Sequence, residues 1–190
     1  MRRAFTIIEL LIVISIISIL MTIVFKSVKG QMSAARQRHA EALCQAVESG
    51  LATYHVQNDE WPSPVGGWAK GGAPNRSNNE GPGWETDPNL VVLTAAEVKQ
   101  VVKALVDEAK KGNPLMDVSG LWVSRASGEG GSGYGLSFMD AVHGTSRSRK
   151  RMSTSEMNFG YPDPSTGHFR RFKMIYSIPT DSLLVSLQGE

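Results

Sequence analysis

Few residues of this chain have the type and spacing to do chemistry, and the acid Glu9 is the most unusual of them. Glu9 lies inside an apolar run of 21 residues, Phe5 to Phe25, that contains no lysine or arginine. A carboxylate at the centre of such a segment costs about 2.5–3.5 kcal/mol on membrane-insertion scales, and less near its end. Two interpretations stay open: a carboxylate that reaches the headgroup level, or one that pairs with a cation from the chain terminus or another chain.

The remaining titratable and nucleophilic residues form no recognisable catalytic or metal-binding pattern. The four histidines lack metal-ligand spacing, and no serine lies in a nucleophile-elbow motif. No loop repeats acidic residues at alternate positions, as many calcium sites do. We therefore expect no cofactor and no enzymatic activity, with a calcium site as the alternative. The residues considered are His39, His55, His143 and His168, with Asp117, Asp140, Asp163 and Asp181.

Two loop segments could also carry a function. The Gly-rich residues 128–135 lack the Gly-Lys-Ser/Thr ending of a phosphate loop, so they predict a flexible connection. The basic run of Arg147, Arg149, Lys150 and Arg151 is either a solvated loop, which we favour, or a contact with nucleic acid, anionic lipid or an acidic neighbour. A net charge of +2 and the lack of interleaved aromatic residues do not favour nucleic acid.

The first sixty residues predict one long helix. The apolar run would reach roughly 32 Å at about 1.5 Å per residue, enough to span a hydrocarbon core of about 30 Å. Beyond it, apolar residues recur every three or four positions, with charged residues between them. This predicts a helix with one apolar face and one polar, solvent-facing face. Trp61-Pro62-Ser63-Pro64 ends the pattern. The apolar positions are Val28, Met32, Ala35, Ala42, Leu43, Ala46, Val47, Leu51 and Tyr54.

Gly50 and Cys44 are the glycine and the cysteine within the second half of this helix. Gly50 weakens the helix by about 1 kcal/mol relative to alanine without ending it. Cys44 is the single cysteine, so no intrachain disulfide can form, and its place beside Leu43 and Val47 favours a small buried hydrophobe.

The rest of the chain predicts a head of mixed structure. Residues 62–90 read as an irregular surface segment that is rich in Gly, Pro, Asn and Ser. Thr94-Ala-Ala-Glu97 is a capping box that opens a helix as far as Lys111. Strands are predicted at 121–125, more weakly at 135–139, and at 168–178, and the last of these forms a hairpin with 182–187. The fold class is therefore α+β, with the long helix packed on a small antiparallel sheet.

The N-terminal segment carries a family resemblance. The basic stub Met1-Arg2-Arg3-Ala4 is followed directly by Phe-Thr-Ile-Ile-Glu-Leu-Leu-Ile-Val. This resembles the class III signal of type IV pilins and type II secretion pseudopilins. The resemblance implies that a prepilin peptidase cuts between Ala4 and Phe5 and that the new amine of Phe5 is methylated. It also implies that Glu9 pairs with the Phe amine of a neighbouring subunit during filament assembly.

Two positions depart from the usual pattern of the family. Ala4 stands where glycine is usual, which predicts slower processing. Lys26 stands where many members have a helix-kinking proline, which predicts a straighter helix. The numbers of cations on the two sides of the apolar run do not decide its orientation, so the resemblance alone places the leader in the cytoplasm and the head outside.

The resemblance implies four regions and a route to assembly. Residues 1–4 are the leader, 5–25 the transmembrane and polymerisation half of the helix, 26–60 its soluble half, and 61–190 the head. The protein would be a single-pass protein of the bacterial inner membrane with its head in the periplasm, and would then enter a filament. Its partners would be the prepilin peptidase, other pilin-like subunits, an inner-membrane assembly platform and membrane lipid.

We therefore predict a structural subunit of a type IV pilus-like filament. A type II secretion-type pseudopilin or a minor pilin is favoured, because the C-terminal half has no cysteine pair for the disulfide loop of large pilins. Two alternatives stay open: a membrane-anchored envelope binding module, and a DNA-uptake pilin that uses the basic run.

Overall fold

The computed structural model describes residues 7–71, 89–125, 135–143 and 151–187. Its first element is one unbroken helix, α1, from Ile7 to Asn58. At about 1.5 Å per residue this helix is roughly 78 Å long. Asp59, which follows it, has a φ of 55° and ends the helix just before the Trp-Pro sequence that predicted its end.

Only the C-terminal part of α1 is packed against the head. Its buried side chains are spaced three, four or one residues apart, as expected of a single helix face. They are Ala40, Leu43, Cys44, Val47 and Leu51. The burial of Cys44 agrees with its interpretation as a small hydrophobe.

The predicted apolar face of α1 begins too early. Val28 and Met32 are 45% and 50% exposed, and Ala35 is exposed as well. Val28, Met32 and Ala35 keep the helical spacing of apolar side chains, but the described part of the head does not cover them. The docked segment therefore starts at Ala40.

The head adds three helices and seven strands in the described part of the chain. Its helices are α2 (Val65–Gly71), α3 (Ala95–Lys110) and α4 (Phe138–His143), with 3₁₀ turns at Val118–Gly120 and Thr154–Glu156. The strands are β1 (Leu90–Val92), β2 (Trp122–Arg125), β3 (Leu136–Ser137), β4 (Met157–Pro162), β5 (Phe169–Arg171), β6 (Lys173–Ser177) and β7 (Ser182–Ser186).

The strands form two antiparallel sheets. One has the order β1-β6-β7 and the other the order β3-β2-β4-β5. Helix α1 packs on β7, on β4 and on α3, and α3 also packs on β4. The shared core lies between these helices and the two sheets, with Phe159, Tyr161 and Tyr176 among its largest fully buried side chains. This confirms the α+β class and the long helix packed on antiparallel strands.

Local signals were reliable within the head. The capping box is present: Thr94 Oγ1 accepts from the backbone N–H of Glu97, and the Glu97 carboxylate accepts from the N–H of Thr94. Helix α3 buries the predicted side Val98, Val101, Val102 and Leu105. The β6–β7 hairpin also forms as predicted, with Ile175 opposite Leu184.

Three strand and loop predictions were wrong. Residues 62–90 are not wholly an irregular surface segment, because they contain α2 and the first residue of β1 and because Pro62 and Val65 are buried. Residues 135–139 form only a two-residue strand before α4 begins at Phe138. Residues 168–178 are two strands, β5 and β6, that belong to different sheets. In each case contacts with distant segments override the local pattern.

Gly50 allows close packing in α1, a role that its low helix propensity does not indicate. A Cβ added at Gly50 would lie 3.2 Å from the Cβ of Met116, closer than ordinary carbon–carbon contact. The glycine therefore lets the segment after α3 approach α1.

Replacing Val47 by alanine should measure how much the docked face of α1 contributes to stability. Val47 is fully buried, and loss of two buried methyl groups should lower the free energy of unfolding by roughly 2 kcal/mol. The control is Val56→Ala in the same helix, where the side chain is 81% exposed and the change should stay within about 0.5 kcal/mol. Denaturant unfolding of the full chain in nonionic detergent would measure both, and equal effects would contradict the docking.

Candidate functional site

The strongest functional feature is the N-terminal half of α1, which stands away from the head. Every large apolar side chain from Ile7 to Phe25 is exposed, by 45% at Val13 to 81% at Ile7. Among the described residues, α1 is the one helix long and apolar enough to cross a membrane. The 19 residues from Ile7 to Phe25 would cover about 28 Å as a helix, close to the thickness of a hydrocarbon core.

The polar side chains within this half bond to the helix itself. The hydroxyls of Ser15, Ser18 and Thr22 donate to the carbonyl oxygens of Leu11, Ile14 and Ser18, at 2.8, 2.7 and 2.9 Å. A hydroxyl that is satisfied in this way costs little to place in an apolar environment. The surface is therefore suited to burial in lipid or against other apolar helices.

Glu9 lies in the first turn of α1, where the partial positive charge of the helix N-terminus favours an acid. Its side chain is exposed in the single chain. Roughly 46 Å of helix separates it from Ala40, the first buried residue of the docked face. Ala4 and Phe5, the predicted processing residues, lie outside the described residues.

The loop between β4 and β5 meets α1 where the helix leaves the head. A Cβ placed on Gly167 would lie 3.3 Å from Nη1 of Arg36, so the Arg36 guanidinium lies against this loop. Gly167 has a φ of 72°, a conformation that favours glycine. The positive φ favours glycine in this loop, and a larger side chain would meet the Arg36 guanidinium.

Asp163 organises the loop from within. It is 3% exposed, and its Oδ1 accepts from the N–H and the hydroxyl of Ser165 at 2.8 and 2.5 Å and from the N–H of Thr166 at 2.9 Å. Its Oδ2 pairs with Nε of Arg170. Burial raises the pKa of Asp163, but these hydrogen bonds and the charge of Arg170 outweigh burial and hold the pKa well below its usual range.

A second carboxylate ties the far end of α1 to the head. Oδ1 of Asp181 accepts from Nε1 of Trp61 and from the hydroxyl of Tyr176, both at 2.8 Å. Its Oδ2 lies 3.6 Å from Nε2 of His55, and the His55 ring stacks on Trp61 with 4.3 Å between centroids. Burial, the hydrogen bond to Asp181 and the charge of Asp181 together raise the pKa of Tyr176 to about 12.

The other predicted site residues are not brought together. Among the described residues, no group of three or more His, Cys, Asp or Glu side chains is arranged to hold a metal ion. Of the basic run, Arg151 is described and exposed, whereas Arg147, Arg149 and Lys150 lie outside the described residues, as do residues 128–134 of the Gly-rich segment. Trp68 packs against the core beside Tyr176.

Sequence reasoning missed the structural roles of Asp163 and Asp181. For Asp163 a signal existed, because an aspartate followed by serine and threonine two and three residues later is typical of a turn closed by the carboxylate. For Asp181 none existed, since Trp61 lies 120 residues away along the chain.

Comparison with known proteins identifies the N-terminal segment. Residues 1–25 match the family model of the prokaryotic N-terminal methylation motif. A protein named fimbrial protein from Neisseria meningitidis serogroup A is 26% identical over 130 residues, which are 67% of this chain and 69% of that protein. No solved structure is significantly similar. The resemblance to the type IV pilin family is thereby confirmed, and both findings support a pilin-type structural protein.

Asp163→Asn should alter the pH dependence of stability. Because the folded pKa of Asp163 is depressed, its contribution is present above the unfolded pKa of about 3.9 and is lost as the pH falls toward the folded pKa. At pH 7 the variant should be roughly 1–3 kcal/mol less stable, since its amide cannot replace the carboxylate at Arg170. Below pH 4 the difference should shrink.

Unfolding of the full chain in nonionic detergent, followed at several pH values, would test this. The matched control is Asp140→Asn, which removes an exposed carboxylate of α4. Parallel pH profiles for wild type and Asp163→Asn would contradict the structural role of Asp163.

Proposed function

We propose that this chain is made as a prepilin, is cut between Ala4 and Phe5, and assembles as a structural subunit of a type IV pilus-like filament. The observation that carries the proposal is the apolar helix half, Ile7 to Phe25, which stands away from the head and lies within the methylation motif at residues 1–25. Its branched apolar side chains are exposed and its hydroxyls are internally bonded. In a single chain this surface needs a membrane, and in a filament it would be buried against neighbouring helices.

The driving force for assembly is the burial of this surface. Removal of apolar area from contact with water contributes about 25 cal/mol per Å². Within lipid, close helix packing and polar contacts provide the remaining preference for the polymer. Nothing in the docked part of α1 needs to change during this transfer, because the docked face begins about 22 Å beyond Phe25.

Glu9 would supply the register of assembly. Cleavage after Ala4 frees an ammonium group at Phe5, four residues before Glu9 and therefore about one helical turn away. In an apolar environment, a carboxylate and an ammonium from adjacent subunits attract strongly and neutralise each other. A neighbour displaced along the helix would leave both charges buried without compensation, which is costly.

The finer assignment follows from the same features. We propose that residues 5–25 cross the inner membrane, that residues 26–60 complete the helix, and that residues 61–190 form a head in the periplasm. The prepilin peptidase, an assembly platform and other pilin-like subunits are the proposed partners. A pseudopilin or minor pilin is favoured, since the chain has one cysteine and cannot form the disulfide loop of large pilins.

An anchored binding module is the rival function that shares the same helix. It would use α1 as a permanent anchor, without cleavage and without a role for Glu9 in association. The two functions therefore differ in the chemistry of the N-terminus and in the effect of changing Glu9.

Mass spectrometry of the N-terminal peptide from envelope fractions should find a chain that begins with N-methylated Phe5. The expected intermediate in cells that lack the prepilin peptidase is a chain beginning at Met1 or Arg2, which provides the matched control. A functional, assembled protein that retains Met1 in normal cells would refute the proposal and favour the anchored module. A start near residue 36 would indicate secretion instead.

Glu9→Ala should reduce incorporation into filaments by about tenfold or more, the factor that corresponds to a loss of roughly 1.4 kcal/mol at each interface. Sheared filaments would be quantified against total membrane-bound protein. Glu41→Ala removes an exposed acid from the same helix and should assemble normally. If Glu9→Ala assembles like the wild type while Phe5 is methylated, Glu9 does not set the register.

A further inference from the structure

A segment that carries positive but no negative charge connects the apolar half of α1 with its docked face. It spans residues 26–39 of the helix, and we term it the cationic segment. No aspartate or glutamate occurs in residues 10–40, so neither the segment nor the neighbouring apolar residues supply a counter-charge. The lysines and arginines of the segment are Lys26, Lys29, Arg36 and Arg38.

The two arginines of the cationic segment form no ion pair with a described acid. The ion pairs among the described residues involve other cations, which are His55, Lys70, Lys103, Lys111 and Arg170. Glu41 is the first acid beyond the segment, and its Oε1 accepts from the side-chain amide of Gln37 at 3.0 Å. A cation that has no acid partner keeps its attraction for an external anion.

The distance of each cation from the apolar half places the segment at the surface of a membrane. At about 1.5 Å of rise per residue, positions 26 and 29 lie roughly 1.5 and 6 Å beyond Phe25, and positions 36 and 38 roughly 16 and 20 Å beyond it. The headgroup layer on each side of the hydrocarbon core is about 5–7.5 Å thick. Where the core ends at Phe25, the two lysines therefore lie within this layer and the two arginines lie outside it, toward the head.

We propose that the cationic segment binds the headgroups of anionic lipids in the leaflet next to the head. Lysines and arginines beside a membrane attract anionic lipid, by about fivefold in affinity for each cation close to the surface. The headgroup layer is filled by lipid rather than by soluble proteins, so lipid phosphates are the anions available to Lys26 and Lys29. This contact presupposes the proposed insertion of residues 7–25 in a membrane, but it does not depend on filament assembly.

One face of the cationic segment leads from the headgroup layer to the head. Position 29 and Arg36 are seven residues apart, close to two helical turns, and therefore share a helix face. The Arg36 guanidinium lies against Gly167 of the β4–β5 loop, which marks this face as the one that meets the head. Attraction between charges in water is largely screened beyond about 8 Å at physiological salt. We therefore expect a strong lipid contact at position 29 and a weaker one at Arg36.

Electron spin resonance of spin-labelled lipids would test the proposal on the full chain reconstituted in phosphatidylcholine vesicles. A trace of spin-labelled phosphatidylglycerol, compared with spin-labelled phosphatidylcholine, reports which lipid is immobilised at the protein surface. We expect a preference of at least about threefold for phosphatidylglycerol at low salt, since the signal also includes lipid far from the cations. At about 1 M salt, where the screening length is about 3 Å, the preference should disappear.

Charge changes at two distances from the membrane would locate the contact. Lys26→Gln/Lys29→Gln should remove most of the preference for phosphatidylglycerol. Arg36→Gln/Arg38→Gln should remove less of it, because the two arginines lie about one screening length or more from the headgroup layer. A larger effect of the arginine change would place the contact outside the headgroup layer and would overturn the proposal.

Two further double variants separate local charge from net charge and from folding. Lys26→Arg/Lys29→Arg retains both cations and should preserve the preference. Lys70→Gln/Lys111→Gln removes the same net charge from the head, where both lysines pair with acids, and should leave the preference unchanged. An equal loss in this head variant would mean that only net charge acts, and the proposal would then be wrong.

Retention of the chain in the vesicles after an alkaline wash checks membrane insertion separately. A chain that washes off would refute both the membrane span and the lipid contact. A chain that stays inserted without a preference for phosphatidylglycerol would refute the lipid contact alone. Displacement of the labelled lipid by inorganic phosphate at matched ionic strength would indicate a site for small anions, and would likewise overturn the proposal.

Discussion

Helix α1 is continuous from Ile7 to Asn58, so its two halves are covalently and conformationally linked although they lie in two different environments. The second half buries a face from Ala40 to Leu51 in the head, which contributes to the stability of the folded domain. The first half is not covered by the described part of the head, and its large apolar side chains are exposed. Because the helix transmits the position of one half to the other, the docking of the head fixes where the apolar half points. The rest of the structure serves this rigid connection.

The docked segment is held at both ends by buried or partly buried polar contacts. At the exit from the head, Asp163 shapes the loop that lies against Arg36, and at the far end Asp181 gathers His55, Trp61 and Tyr176. Between them the packing is apolar, and apolar contacts alone would allow the helix to slide or rotate by small amounts. Directional hydrogen bonds remove that freedom. In the proposed filament, these contacts would keep the angle between the helix and the head fixed.

The lysines in and directly after α3 fall into two groups that differ in their bonding partners. On α3, acids neutralise Lys103 and Lys111, whereas Lys99 and Lys110 reach over the next segment and bond to neutral oxygens. Those two bonds also hold the turn at residues 154–156 against α3.

Short-range patterns in the sequence determined the features that depend on neighbours along the chain. The length of α1 follows from an apolar run and a helical repeat that end at Trp61-Pro62, the start of α3 from its capping box, and the β6–β7 hairpin from two strand patterns around a turn. The methylation motif at residues 1–25 could be recognised because the order of its residues within one short segment is distinctive. Hydrogen bonding and side-chain spacing over a few residues control each of these features. They can therefore be predicted from the amino-acid sequence alone.

Positions that look equivalent in the sequence are buried or exposed, and paired or unpaired, according to the tertiary structure alone. The apolar repeat of α1 does not distinguish Met32, which is exposed, from Val47, which is buried, because the difference lies in where the head ends. Residues 168–178 are divided between two sheets, since β5 pairs with β4 whereas β6 pairs with β1 and β7. Asp181 and Trp61 are 120 residues apart, and Lys99 and Ser155 are 56 apart. Contacts between residues so far apart in sequence depend on how the whole chain packs around its hydrophobic core. No local sequence pattern predicts them.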